Sequence, residues 1–134
     1  MKLLLDTHIL IWMLADDPKL PRKARELILD ETNELYTSSI SLWEVIIKHA
    51  LHPSAMPYSG EILYDICLRA GVKILAVNTE HILAIEGLLR DKNAPPHKDP
   101  FDRLLIAQAK TEGIKLITHD ALLQGYGEPC VLIV

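Results

Sequence analysis

Short, wholly apolar runs alternate with helix-like segments along this chain, and acidic residues stand where the runs end. Lys2-Leu3-Leu4-Leu5 closes on Asp6. A run that is apolar at consecutive positions is a strand covered on both faces, as in a parallel sheet. Residues 34–37 form a second strand, followed one short turn later by Glu44, and residues 115–118 form a fourth that closes on Asp120. Residues 72–77 and 131–133 complete the set. Helices are expected over 8–14, 22–31, 41–50, 60–70, 79–89 and 100–112. In the second of these, Ala24, Leu27 and Ile28 share one face, and Gly71 ends the fourth at a left-handed cap position. Strands alternating with helices fold as a doubly wound α/β sheet with right-handed crossovers.

One connection is unusual. Two helices lie between the third and fourth strands, so the polar, double-proline loop 91–98 must carry the chain back to the carboxyl edge of the sheet. Eight residues reach at most about 28 Å, against roughly 18 Å for a twelve-residue helix, so the return is feasible. It brings Asp99 and Asp102 to the edge that already holds Asp6 and Asp120.

Functional groups of open α/β sheets gather outside the carboxyl ends of the strands. Carboxylates converging there repel one another unless a cation sits between them, so Asp6, Glu44, Asp102 and Asp120 predict a divalent metal site. Each acid also has a purely structural role open to it. Ser41 and Glu44 fit a capping box, and Asp99-Pro100-Phe101-Asp102 is a good helix start. Asp6 and Asp120 have helical segments after them to cap. For any one of them alone, capping is the better account. Ser, Thr or Asn would cap equally well, however, and acids recur after strands one, two and four. Strand three ends in Asn78-Thr79, which fits an edge strand away from the cluster.

Composition limits the classes that remain. At 134 residues the chain is a single domain, residues 1–134, with 49% hydrophobic and 24% charged residues, which excludes disorder. Aromatics make up 5%, too few for a base-stacking platform. The net charge of −4 argues against a general nucleic-acid binder, but not against an enzyme whose site acids are neutralised by metal. Cys67 and Cys130 lack metal-ligand spacing and read as free thiols of a reducing compartment. The N-terminus resembles a signal peptide, but Asp6 and His8 interrupt it, so it reads as the first strand and helix of a cytoplasmic protein. No run is long enough to span a membrane.

Four segments carry a resemblance: Leu4-Leu5-Asp6-Thr7-His8, Ser38-Ser39-Ile40-Ser41-Leu42-Trp43-Glu44, Asp99-Pro100-Phe101-Asp102-Arg103-Leu104-Leu105-Ile106-Ala107 and Thr118-His119-Asp120. Their order and spacing resemble the motifs of PIN-domain ribonucleases, in particular the VapC-like toxin branch, over essentially the whole chain. The resemblance implies a three-layer α/β/α fold around a parallel five-stranded sheet of order 3-2-1-4-5. It also implies a core acidic site of Asp6, Glu44 and Asp102, with Asp120 as the more variable fourth acid. Asp99 is either a neighbour of the metal or only a cap.

The implied function is a metal-dependent endoribonuclease that cuts RNA with a metal-activated water, using one or two Mg²⁺ or Mn²⁺ ions and leaving 5′-phosphate and 3′-hydroxyl ends. A VapB-like antitoxin and a homodimer come with the same resemblance. The alternative is a housekeeping nuclease without antitoxin, or a non-catalytic PIN-like domain.

Other residues near these acids have weaker claims. Thr7, Thr118 and Ser39 are candidates to orient carboxylates or a water. Lys48, Lys98 and Arg103 are phosphate contacts or a solvated face. His8 and His119 lie beside the site, as substrate contacts or packing groups, and the six histidines show no zinc spacing. Trp12 and Trp43 lie on apolar helix faces and read as core. A phosphate-accepting receiver domain has similar length and topology, but it needs an acidic pair after strand one and an Asp after strand three. Here strand one is followed by Asp6-Thr7-His8 and strand three by Asn78.

Overall fold

The computed structural model describes residues 1–134. In chain order the elements are β1 (Lys2–Leu5), α1 (Thr7–Leu14), α2 (Arg22–Leu29), β2 (Glu34–Ser38), α3 (Ser39–Leu51), α4 (Gly60–Arg69), β3 (Lys73–Leu75), α5 (Thr79–Ala84), α6 (Pro100–Glu112), β4 (Lys115–Thr118) and β5 (Val131–Ile133). Short 3₁₀ turns span Ile85–Gly87 and Ala121–Tyr126. All strand pairs are parallel and the order is β3-β2-β1-β4-β5. The expected topology is the observed one.

The central strand β1 explains the two layers. Side chains alternate across a strand, so Leu3 and Leu5 face one core while Leu4 faces the other. Leu3 and Leu5 pack with Ile9 and Leu10 of α1, Ala24 of α2, Val45 of α3 and Leu63 of α4. Leu4 packs with Leu105, Ile106 and Ala109 of α6 and with Leu123 and Tyr126. All three leucines are fully buried, whereas Lys2 at the start of the strand is exposed. No helix is long and apolar enough to cross a membrane.

Several expected boundaries differ by a residue or two, the helix expected over 22–31 ending at Leu29, and three differences have a clear physical cause. The strand expected over 72–77 is only Lys73–Leu75. As an edge strand it pairs with β2 alone, and β2 ends at Ser38, the partner of Leu75. Beyond that point Val77 N donates to Ser39 Oγ (3.1 Å), so Ser39 ties down the chain after β3 and does not orient a carboxylate. The helix expected over 79–89 breaks after Ala84 into a 3₁₀ turn, and Leu88 then turns into the core while Leu89 stays exposed. The third difference is at α3, which starts at Ser39 with Ser38 as its N-cap, accepting from Ile40 N (3.1 Å). The capping box expected from Ser41 and Glu44 is therefore absent.

Asn78 does the work that acids do elsewhere. Its side chain accepts from His81 N (3.0 Å) while His81 Nδ1 accepts from Asn78 N (3.1 Å), capping α5. Gly71 and Gly113 adopt positive φ where α4 and α6 end, a conformation that glycine reaches without a side-chain clash.

Candidate metal centre

Asp6, Glu44, Asp99, Asp102 and Asp120 line one cavity of about 660 Å³ at the carboxyl edge of the sheet, together with His8, Trp12, Lys48, Phe101 and His119. All five acids singled out in the sequence are thus brought together. They are not equivalent, because some are engaged in capping and others are free of it.

Asp6 stands at the head of α1 but makes no side-chain cap bond. Instead its Oδ2 accepts from Thr118 Oγ1 at 2.6 Å, an interaction spanning β1 and β4. Only 4% of Asp6 is exposed. Burial raises its carboxyl above the usual range, opposed by the Thr118 bond and by His8, and reinforced by Glu44. Glu44 is 7% exposed and projects from the second turn of α3. Its Oε1 accepts from Thr7 Oγ1 (2.9 Å) and its Oε2 from Lys48 (2.7 Å). Thr7 Oγ1 also lies 2.8 Å from the buried Ser41 Oγ. Thr7 and Thr118 therefore do orient carboxylates, and Ser41 supports Thr7.

Asp102 is the electrostatic centre of the group. Its carboxyl is pushed up to about 8, first by burial and then by Asp6, Asp99, Asp120 and Glu44. Four acids acting on one carboxyl describe a pocket short of positive charge. Lys48, which pairs with Glu44, is the one lysine or arginine on the lining. Lys98 is exposed; Arg103 has its Nε buried without a hydrogen-bond partner.

The two remaining acids do act as caps. Asp99 Oδ1 accepts from Phe101 N (2.9 Å) and more weakly from Asp102 N (3.4 Å), starting α6. Asp120 Oδ1 accepts from Leu122 N (3.0 Å) at the turn that follows β4. A carboxylate oxygen of Asp120 nonetheless lies within 4.8 Å of a carboxylate oxygen of Asp102 and a ring nitrogen of His97. If Asp99 acts only as a cap, Asp99→Ala should cost about 1 kcal/mol of stability and Asp99→Asn almost nothing, with metal affinity unchanged in both. A metal-dependent melting shift lost in Asp99→Asn would make it a ligand instead.

His97 was missed in the sequence, where it appeared only as one histidine without zinc spacing. Its side chain is 4% exposed, and its ring joins Tyr126 to Asp102. The available signal was a histidine in a polar loop two residues before Asp99. Trp43 also departs from expectation: it is 56% exposed and meets Phe101 of α6 edge-on at 5.5 Å. Trp12 is half-buried, flanked by His8 and His119 at ring distances of 6.0 and 5.9 Å.

With this geometry in place, comparison with known proteins gives the family. The PIN-domain model matches residues 3–128. The chain belongs to the PIN-domain family. PIN domains are in general nucleases, and they generally use divalent metal. No curated protein matches the chain in sequence.

Among solved structures, the chain is similar to VapBC2 from Rickettsia felis bound to a DNA fragment from their promoter (TM-score 0.68, 18% identity, covering 100% of this chain and 98% of that one). It is also similar to VapBC-1 from nontypeable Haemophilus influenzae (TM-score 0.66, 21% identity, 99% and 98%). A toxin–antitoxin complex from Klebsiella pneumoniae is a further neighbour (TM-score 0.58, 20% identity, 96% and 94%). At these identities the likeness establishes the PIN fold.

Proposed function

We propose that this PIN domain is a Mg²⁺- or Mn²⁺-dependent endoribonuclease and the toxin of a toxin–antitoxin pair acting in the cytoplasm. The observation that carries the nuclease reading is the convergence of Asp6, Glu44 and Asp102, none of them capping a helix, on one cavity with Asp120. The donors are carboxylate oxygens, the hard ligands that Mg²⁺ and Mn²⁺ prefer. Burial first, and then the neighbouring acids, push Asp102 up; a divalent cation would offset both effects, so the residues fit the ion. When bound there, a divalent cation makes a water nucleophilic at neutral pH and offsets charge developing on the phosphodiester.

The protein's own groups do the rest. Thr118 and Thr7 hold Asp6 and Glu44 in fixed orientations, which lowers the reorganisation needed to take up the ion. Lys48 tempers the repulsion around Glu44. Arg103 and Lys98 flank Asp102 and can meet the phosphates on either side of the cut. Cleavage then leaves 5′-phosphate and 3′-hydroxyl ends.

The toxin reading is supported by the fold neighbours, whose descriptions are of VapBC and toxin–antitoxin complexes. The cavity has an apolar wall, with Ile47, Trp12 and Phe101 beside the acids. An amphipathic helix from a VapB-like antitoxin could seat its apolar face there and direct a basic side chain at the carboxylates. A homodimer fits the same scheme, since a two-fold complex can contact a palindromic operator.

Purified protein should cleave a structured RNA with Mg²⁺ or Mn²⁺ and fall silent in EDTA, with end-group analysis reading 5′-phosphates. Cleavage that persists in EDTA would remove the metal from the mechanism. Expression of the chain alone should arrest growth, and co-expression of the neighbouring small gene should relieve it. Harmless expression of a folded, RNA-cleaving protein would leave a housekeeping nuclease.

A further inference from the structure

The connection between Leu88 and Pro100 has no helix or strand, yet it is fastened at several points. Arg90 donates from Nε to the Pro95 carbonyl (2.7 Å) and from Nη1 to the Leu122 carbonyl (2.8 Å). Asp91 N donates to the Gly125 carbonyl at 2.8 Å. Gly125 is what lets Arg90 lie there, since a Cβ at that position would stand 2.6 Å from Arg90 Nη1 and 2.8 Å from Ala94 Cβ. The Arg90 guanidinium in turn sits 4.9 Å from the ring centre of Tyr126. The buried Tyr126 hydroxyl lies 2.6 Å from His97 Nδ1, and His97 Nε2 lies 3.1 Å from Asp102 Oδ2. A continuous chain of contacts therefore runs from Arg90 through Tyr126 and His97 to Asp102.

We propose that His97 is a positioning residue for Asp102, held in one tautomer by Tyr126. The proposal rests on the reading that Asp102 binds the metal. A carboxylate engaged with a cation is an acceptor only, so the proton between His97 and Asp102 belongs to Nε2. His97 Nδ1 then carries a lone pair and accepts from the Tyr126 hydroxyl. Burial pushes the Tyr126 phenol up, which keeps it a donor. Both ring nitrogens are thereby used, so His97 is not itself a ligand, and one Asp102 oxygen is tied down while the other stays free. Groups that orient a metal-binding side chain in this way change affinity by about 10- to 100-fold.

Amide variants separate the two bonds. In His97→Gln the amide nitrogen takes the place of Nε2 and can still donate to Asp102. In His97→Asn the amide takes the place of Nδ1 and reaches Tyr126 alone. Mn²⁺ affinity, read by electron paramagnetic resonance on the full chain, should fall about tenfold in His97→Asn and stay within about threefold in His97→Gln. Tyr126→Phe should fall between them. For RNA cleavage, kcat should drop in the same order at unchanged KM.

Unchanged Mn²⁺ affinity in a folded His97→Asn would overturn the proposal. If that variant does not fold, Tyr126→Phe keeps the test open, and unchanged affinity there overturns the tautomer clamp. A histidine-nitrogen coupling to bound Mn²⁺ that disappears in His97→Gln would overturn it too, by making His97 a ligand. Failure of the unmodified protein to bind Mn²⁺ would overturn the underlying nuclease reading, and it is seen before any substitution is made.

Discussion

Asp6→Asn and Glu44→Gln should each lower RNA cleavage on the order of a hundredfold or more, with the far-ultraviolet circular dichroism unchanged. Both substitutions keep size and an acceptor oxygen but remove a charge. In Asp6→Asn the Thr118 hydroxyl still has an oxygen to donate to at the β1–β4 junction, so the fold retains its bond while the site loses a ligand charge. In Glu44→Gln the Thr7 bond can also survive, whereas Lys48 loses its ion pair and its positive charge is left facing the remaining acids of the cavity. That charge opposes cation binding further, so Glu44→Gln should need the higher metal concentration of the two. Wild-type turnover in either variant, measured at saturating Mn²⁺, would remove that residue from the mechanism.

Asp102→Asn should make the metal-free protein more stable, the opposite of the usual effect of altering a buried side chain. The folded state holds this carboxyl at about 8, above its ordinary 3.8. Between those values the folded protein binds the extra proton, so stability falls as pH rises from about 4 to about 8 and stays low above that. Water in the open cavity screens the effect to on the order of 2 kcal/mol, or several degrees of melting temperature.

In EDTA, then, the unmodified protein should melt lower at pH 8.5 than at pH 6, and Asp102→Asn should flatten that slope. Divalent ion should reverse it in the unmodified protein by mass action on the folded state, and much less in Asp102→Asn. A strong loss of stability in the metal-free variant would mean that the bond to His97, rather than repulsion among the acids, dominates at Asp102.

Much of the fold was legible because its determinants are local. Three consecutive leucines before Asp6 say that both faces of β1 are covered, and Leu3, Leu4 and Leu5 do divide between the two cores. Gly71 and Gly113 mark helix ends because few other residues adopt positive φ there. The errors arose where local signals compete. Ser38, Ser39 and Ser41 are all plausible caps, and only the end of β2 decides that Ser38 takes the role. Likewise the length of β3 depends on where its single partner strand stops, which residues 72–77 do not encode.

The acidic site divides in the same way. The positions of Asp6, Glu44 and Asp120 after strands one, two and four bring them to one edge once the sheet is parallel, and the loop 91–98 returns Asp102 to it. Which of these acids are free is a tertiary matter. Asp99 and Asp120 cap their own following segments. Asp6 is released from capping by Thr118, 112 residues away, and Glu44 is oriented by Thr7, 37 residues away. His97 owes its place to Tyr126, 29 residues on. Hydrogen bonds of such sequence separation leave no periodicity behind, because they exist only after burial has removed the water that would otherwise satisfy both partners.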